Sequence, residues 1–87
     1  MPARPRTDWI VLHCSASKPT MDIGVAEIRK WHLDRGFRDV GYHYVIRRNG
    51  AVEPGRDPTA VGAHEQTVNS VSVAVCLVGG IDGQGRP

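Results

Sequence analysis

Short apolar runs alternate with polar stretches along the chain, and two of the runs predict buried strands. The first is continuous over residues 9–13 and ends in a histidine, which is typical of a strand inside a sheet. The second covers residues 70–78 and is apolar on both faces, which favours a central position. Such a strand must be covered on both faces, so the sheet needs a layer on each side.

The apolar positions change to helical spacing between Gly24 and Arg35. The residues that share one face of this helix are Val25, Ile28 and His32, with Ala26 and Leu33 beside them. Asp22 is the expected N-cap. Gly36 is expected to end the helix in a left-handed conformation. The pattern therefore predicts a single helix with one apolar face.

The middle of the chain predicts a β-hairpin. Residues 42–47 alternate as a half-buried strand would, and Asn49 and Gly50 follow almost directly. This dipeptide is the strongest short hairpin signal in the chain. The return strand is expected over residues 51–53, before a Pro-Gly stop.

Together these elements predict an α/β fold with a mixed central sheet of about four strands and one covering helix. One helix covers only one face of the sheet. Residues 9–87 are therefore expected to be the N-terminal portion of a single larger domain, whose further flanking helices lie outside this sequence. Residues 1–8 are predicted to be a flexible lead-in, because no apolar pattern organises them.

Composition is that of an ordinary globular domain, with 40% hydrophobic and 23% charged residues. The formal net charge of +2 is too small to argue for a nucleic-acid partner. No apolar run could cross a membrane or serve as a secretory signal, so a cytoplasmic protein is expected. Cys14 and Cys76 lie in strand-like runs and are expected as buried free thiols, with a disulfide as the alternative. The arginines expected on a solvated face are Arg47, Arg48 and Arg56.

Four segments place a chemically capable side chain at the end of an apolar run or beside a glycine. They are residues 11–15, 41–44, 61–64 and 69–73. Side chains in such positions are delivered to a cleft. A zinc hydrolase needs three protein ligands, and only His13 has a position that fits one. His43 alternates with Tyr42 and is predicted to be structural, and Cys14 is predicted to pack behind the site for the same reason.

The same segments resemble one protein family. The residues that carry the resemblance are Leu12–Ala16, Glu27–His32, Asp39–Tyr44, Val61–His64 and Val75–Asp82. In order and spacing they are similar to the type-two N-acetylmuramoyl-L-alanine amidases, especially the amidase-type lysozymes of tailed bacteriophages. The animal peptidoglycan recognition proteins share that fold. The resemblance runs from Trp9 to the last residue.

The resemblance implies a zinc-dependent hydrolase that cleaves the amide between N-acetylmuramic acid and L-alanine in peptidoglycan. It implies that His13 is the first zinc ligand and that Tyr42 is the catalytic residue near the metal-bound water. The positions that it implies as substrate contacts are His32, Arg35, His64 and Asn69. The family's other two ligands, a histidine and a cysteine or aspartate, are expected beyond residue 87, together with its C-terminal helices.

A single ligand should hold zinc weakly, so several interpretations stay open for this chain. It is a phage or prophage hydrolase, acting on the cell wall after release, whose site is completed by a second copy or a complementing chain. Such an assembly would also cover the bare sheet face. Alternatively, it is a non-catalytic module or a truncated remnant that binds peptidoglycan. A third interpretation, which the resemblance implies for some phage amidases, is a regulatory partner of the phage RNA polymerase.

Overall fold

Four strands and one α-helix build the part of the chain that this computed structural model describes, namely residues 3–81, 84 and 86. The elements in chain order are β1 (Trp9–Cys14), α1 (Val25–Asp34), β2 (Tyr44–Ile46), β3 (Val52–Pro54), a 3₁₀ turn (Asn69–Val71) and β4 (Ser72–Leu77). The ten residues of α1 are too few to cross a bilayer, and no longer helix occurs among the described residues. Asp82, at the end of the last resemblance segment, lies outside them.

The strands are ordered β1–β4–β2–β3 in one mixed sheet. β4 lies between β1 and β2 and runs parallel to both, whereas β2 and β3 are antiparallel. The central strand predicted at residues 70–78 is therefore confirmed. So is the predicted hairpin, where the N–H of Gly50 donates to the carbonyl of Arg47 at 2.9 Å. The connection from β1 to β2 contains α1.

The core lies between α1 and one face of the sheet. Ile28 of α1 is 2% exposed and packs with Val45 of β2 and Cys76 of β4, which are both fully buried. His32, one turn after Ile28, is also buried. The predicted inner face of the helix is therefore confirmed. The other buried members of the cluster are Ile23, Val40 and Val78.

The opposite face of the sheet exposes apolar side chains. Ile10 and Leu12 of β1 are 72% and 65% exposed, Val52 of β3 is 60% exposed, and Leu77 of β4 is 42% exposed. The strand predicted at residues 9–13 is confirmed in position, but the prediction that it is buried is wrong. β1 is an edge strand with a single neighbour, and α1 lies over the other face. One helix thus covers one face, as expected.

The predicted end of the helix is confirmed, whereas its predicted N-cap is wrong. Gly36 has a φ of +91°, which favours glycine as the residue that stops the helix. At the other end the helix begins after Gly24, whose N–H donates to Oε1 of Glu27 at 2.9 Å. Asp22 instead pairs with Arg47 at 2.8 Å. Its carboxylate is therefore engaged with the hairpin rather than with the first turn of α1.

A buried arginine holds the loop that follows β3. Arg56 is 6% exposed, and its guanidinium donates to the carbonyl oxygens of Val40 and Val61 at 2.9 Å and of Asp39 at 3.3 Å. The solvated position predicted for Arg56 is therefore wrong. Backbone carbonyls of the neighbouring loops replace water as acceptors, which makes burial of the guanidinium tolerable.

The segment before β1 lies against the same loop. Ala3 forms a β-bridge with Ala60, and the N–H of Arg4 donates to the carbonyl of Thr59 at 2.6 Å. The flexibility predicted for residues 1–8 stays a prediction.

Candidate functional site

Three ring side chains from distant parts of the chain meet beside the covered face of the sheet. His13 lies on β1, in register with Cys76 of β4. Its ring centroid is 5.3 Å from that of Tyr42 and 4.9 Å from that of His64. Nε2 of His13 and Nδ1 of His64 are 2.8 Å apart and share a hydrogen bond. The structure therefore brings together the predicted ligand, the predicted catalytic residue and one predicted substrate contact.

His64 lies in the long loop between β3 and the 3₁₀ turn, and Asn69 holds it there. Oδ1 of Asn69 accepts hydrogen bonds from the backbone N–H groups of His64 at 3.0 Å and Glu65 at 2.8 Å. On the far side of the ring, Nε2 of His64 lies 3.1 Å from Oγ of Ser72. Asn69 thus fixes the loop that carries His64, and its own contact with substrate stays a prediction.

Gly41 allows the loop of His64 to approach Tyr42. A Cβ on Gly41 would lie 2.1 Å from the carbonyl oxygen of Ala63, so no larger residue fits there without moving the backbone. The N–H of Ala63 donates to the carbonyl of Gly41 at 3.1 Å. The glycine beside Tyr42 in the sequence is therefore a packing requirement of the site.

His32, on α1, forms a wall beside the cluster of His13, Tyr42 and His64. It is 7% exposed, and its Nδ1 accepts a hydrogen bond from the N–H of Gly41 at 2.7 Å. Its ring centroid lies 5.3 Å from that of Tyr42 and 4.9 Å from that of Phe37. Burial, then the nearby cations Arg35 and Arg56, lower the pKa of His32 below its ordinary value. His32 is therefore a fixed, neutral ring at neutral pH.

A cleft of about 130 Å³ opens beside this wall. Its lining residues are Ser15, Ile28, Trp31, His32, Arg35 and Tyr42. Of the predicted substrate contacts, His32 and Arg35 line the cleft, whereas His64 and Asn69 are not among its lining residues. Trp31 and Ser15 were not predicted. Trp31 stands four residues before Arg35, the residue that follows α1, and this spacing is the signal that could have indicated a shared face.

His43 and the two cysteines are structural neighbours of the site. Nε2 of His43 bonds the carbonyl of Ala60 at 2.7 Å, and Nδ1 accepts from the N–H of Ala74 at 3.0 Å. The structural role predicted for His43 is therefore confirmed. Both cysteines are free thiols, so the alternative of a disulfide is not observed. Cys76 is buried as expected, but Cys14 is exposed, because it points to the uncovered face of the sheet.

Burial sets the charge of the cluster at neutral pH. It lowers the pKa of His64 to about 4, and the neighbouring His13 and His43 rings add to that shift. It also raises the pKa of the Tyr42 phenol above its ordinary value, and the negative charge that Cys76 and Cys14 carry when ionised adds to that shift. At neutral pH the cluster therefore combines a neutral imidazole with a protonated phenol. Such a pair can accept a proton and donate a hydrogen bond.

The described residues do not form a complete zinc site. A catalytic zinc ion is held by three protein ligands and keeps one position open. Among residues 3–81, 84 and 86, no three His, Cys, Asp or Glu side chains are grouped so that they could hold a metal ion. The imidazole of His13 suits zinc by its chemistry, and its role as a ligand stays a prediction.

Comparison with known proteins is consistent across sequence and structure. The family model described as N-acetylmuramoyl-L-alanine amidase matches residues 3–87. The endolysin of Klebsiella phage KP32 is 61% identical over 84 residues, which cover 97% of this chain and 56% of the endolysin. The chain thus spans about half the length of the curated relatives it matches.

Solved structures show the same fold. The N-acetylmuramoyl-L-alanine amidase LysC from Clostridium intestinale has a TM-score of 0.78 and 29% identity, over 86% of this chain and 48% of LysC. Drosophila PGRP-LB has a TM-score of 0.75 and 24% identity, over 92% of this chain and 50% of that protein. The second likeness concerns the fold alone. Both support the fold class predicted from the sequence.

Proposed function

The chain belongs to the N-acetylmuramoyl-L-alanine amidase family, and from this premise we propose that it takes part in zinc-dependent cleavage of the amide between N-acetylmuramic acid and L-alanine in peptidoglycan. The proposal includes release from the cell and action on the cell wall, by analogy with relatives that are named endolysins. It concerns the whole catalytic unit, of which this chain spans about half.

One observation carries the proposal: Tyr42 belongs to the cluster of His13, Tyr42 and His64 and also lines the cleft. Its ring centroid lies 5.3 Å from that of His13 and also 5.3 Å from that of His32. Tyr42 also lines the cleft next to Arg35. A peptide bound along the cleft would therefore have one of its amide carbonyls within reach of the phenol and of the His13–His64 pair.

The proposed roles follow from the charge state of each group. Tyr42 is a protonated phenol that can donate a hydrogen bond to the oxygen that becomes negative as the amide is attacked. His64 is neutral and can accept a proton from the attacking water or orient the leaving amine. Arg35 offers an exposed cation for a carboxylate of the stem peptide. His32 shapes the wall that such a peptide would contact.

Zinc, when bound, would polarise the amide carbonyl and lower the pKa of its water. Of the three ligands that this chemistry requires, we assign His13 alone to the described residues. The other two would come from polypeptide outside the described residues. The roles proposed for Tyr42, His64 and Arg35 do not depend on which polypeptide supplies those two ligands.

The test is cleavage of a soluble muramyl peptide with zinc in excess, followed as the appearance of a free L-alanine amino group. We expect slow, zinc-dependent release that is lost in His13→Ala and reduced about 100-fold in Tyr42→Phe, the typical cost of one oxyanion donor. Arg38→Ala, an exposed change away from the cluster, is the control and should match the unmodified chain. Equal release by His13→Ala and the control would refute the proposal.

A second candidate function, binding of peptidoglycan without hydrolysis, is favoured by one observation. His32, Arg35 and Tyr42 line a cleft that could contact a peptide without a metal ion. In that case the chain would bind purified peptidoglycan in the presence of a chelator and release no L-alanine amine at any zinc concentration. The regulatory role towards RNA polymerase stays a prediction without a structural observation behind it.

A further inference from the structure

The hydrogen bond between His13 and His64 continues to a residue that the proposed function does not use. Ser72, the first residue of β4, is fully buried. Its Oγ lies 2.8 Å from the carbonyl oxygen of Val68 and 3.1 Å from Nε2 of His64. Nδ1 of His64 in turn lies 2.8 Å from Nε2 of His13. Three side chains on three different segments thus form one line of hydrogen bonds.

The hydrogen-bond donor and acceptor capacity of each atom determines where the protons along this line lie. A carbonyl oxygen only accepts, so the shorter bond from Ser72 to Val68 uses the single hydroxyl proton of Ser72. Oγ of Ser72 must then accept from Nε2–H of His64. A neutral imidazole carries one proton, so Nδ1 of His64 is left as an acceptor. Nε2 of His13 is therefore the donor in the bond between the two rings.

We propose that Ser72 is a positioning residue that acts through His64 to hold His13 with its proton on Nε2 and with Nδ1 unprotonated. Which nitrogen of a histidine is free to bind a ligand is set by the hydrogen bond that the other nitrogen makes. Nδ1 of His13 has no hydrogen-bond partner among the described residues. The line of hydrogen bonds therefore presents Nδ1 as the one nitrogen of His13 with a free lone pair. The functional meaning of this arrangement rests on the proposed function.

The opposite placement of the protons predicts a different tautomer for each ring, and this difference can be measured. If Ser72 donated its proton to Nε2 of His64, then His64 would carry its proton on Nδ1 and donate to Nε2 of His13. His13 would then be protonated on Nδ1, and no lone pair would be free. The two arrangements differ in the position of one proton on each ring, and the ring ¹⁵N chemical shifts report that position directly.

The experiment is ¹⁵N NMR of the histidine rings in the full, metal-free chain at mildly alkaline pH. We expect the rings of His64 and His13 both to be protonated on Nε2. A proton on Nδ1 of either ring in the unmodified chain would overturn the proposal. This measurement needs neither metal nor substrate, so it stands or falls separately from the amidase activity.

Ser72→Ala tests whether Ser72 is the origin of the arrangement. The variant removes the acceptor for His64, so we expect the His64 ring to shift towards a mixture of both tautomers. The His13 ring, which Ser72 does not touch, should shift with it. Ser70→Ala is the matched control, because Ser70 is exposed two residues earlier, and it should leave both rings unchanged. Unchanged His13 shifts in a folded Ser72→Ala chain would overturn the proposal.

A second variant covers the case in which Ser72→Ala does not fold. His64→Ala changes a partly exposed loop residue and removes the acceptor of the His13 proton. We expect His13 to become a mixture of tautomers in this variant. If His13 stayed protonated on Nε2 alone, its tautomer would not depend on His64, and the relay from Ser72 would be excluded.

Discussion

Nε2 of His13 and Nδ1 of His64 lie 2.8 Å apart although 51 residues separate them in the chain. This contact joins an edge strand of the sheet to a loop that has no strand or helix of its own. It depends on Asn69, which holds the loop, and on Gly41, which lets the loop approach. The position of the candidate site is therefore a consequence of how loops pack on the sheet.

The stability of the fold should depend strongly on the contact between α1 and the sheet. Ile28→Ala removes a side chain that is 2% exposed. We expect it to lower the free energy of unfolding by about 2–5 kcal/mol, the usual cost of such a core truncation. Leu33→Ala on the same helix is the control, because Leu33 is 47% exposed. Urea titrations of both variants should separate them, and equal losses would contradict the assigned core.

Acid should destabilise the fold because the pKa values of His32, His43 and His64 are all lowered in the folded chain. Burial is the main cause that lowers the pKa of both His32 and His43 in the folded chain. The unfolded chain therefore binds more protons at mildly acidic pH. The free energy of unfolding should be greatest above about pH 6.5 and should fall as the pH drops through that value towards the lowered folded-state pKa values.

Urea midpoints measured between about pH 7.5 and pH 5 check this dependence. His32→Gln and His43→Gln should each make the dependence on pH less steep, whatever they do to the midpoint itself. If the slope is the same in the unmodified chain and in both variants, these histidines are not the groups responsible.

The two cysteines should differ sharply in reactivity. Cys14 is exposed, whereas Cys76 is buried, and burial raises the pKa of the Cys76 thiol to about 11. Since the thiolate is the reactive form, alkylation of the folded chain should modify Cys14 first and leave Cys76 intact until the chain is unfolded. Mass spectrometry of Cys14→Ser against Cys76→Ser measures each rate alone. Similar rates in the two variants would contradict the placement of β4 in the core.

The uncovered face of the sheet should drive self-association of this chain. Ile10 and Leu12 are largely exposed on β1, an edge strand without a charged residue. Edge strands of natural proteins usually carry charges or prolines that prevent pairing. Leu12→Lys should shift the molecular mass from light scattering towards the monomer while the circular dichroism spectrum is retained. Lys30→Ala, a change on α1 at the other face of the sheet, should leave the molecular mass unchanged. If the unmodified chain and Leu12→Lys are both monomers, this face of the sheet does not drive self-association.

Local signals in the sequence predicted the positions of the helix and the strands well, but predicted their burial and tertiary contacts less well. The Asn49–Gly50 turn, the central strand and Gly36 at the helix end were all predicted, because each depends on a few adjacent residues. The burial of β1 was predicted wrongly, because an edge strand and an inner strand can have the same apolar pattern. Asp22 was assigned as a cap from its residue type, but a pairing with Arg47 on the distant hairpin decides its position.

The candidate site was predicted in its parts but not in its connections. His13, Tyr42 and His64 were recognised from their segments, and the structure groups them. Ser72 was not recognised, since a serine in a β-prone run looks like an ordinary strand residue. Its link to His64 arises only because the loop folds back over the start of β4.

Arg35 should make the largest single contribution of a charged side chain to ligand binding in the cleft. A charge-assisted hydrogen bond to a carboxylate typically contributes about 1.5–3 kcal/mol. Arg35→Ala should therefore weaken peptidoglycan binding about 10- to 100-fold. Lys30→Ala is the matched control, because Lys30 is an exposed cation of the same helix that pairs with Asp34 outside the cleft.

Binding of peptidoglycan in the cleft is tested by co-sedimentation of the chain with purified, insoluble peptidoglycan in the presence of a chelator, with a soluble muramyl peptide as competitor. We expect the chain and Lys30→Ala to sediment with the polymer, the muramyl peptide to release both, and Arg35→Ala to stay largely in solution. A chain that does not sediment, or one that the muramyl peptide fails to release, would contradict the assignment of this cleft to peptidoglycan.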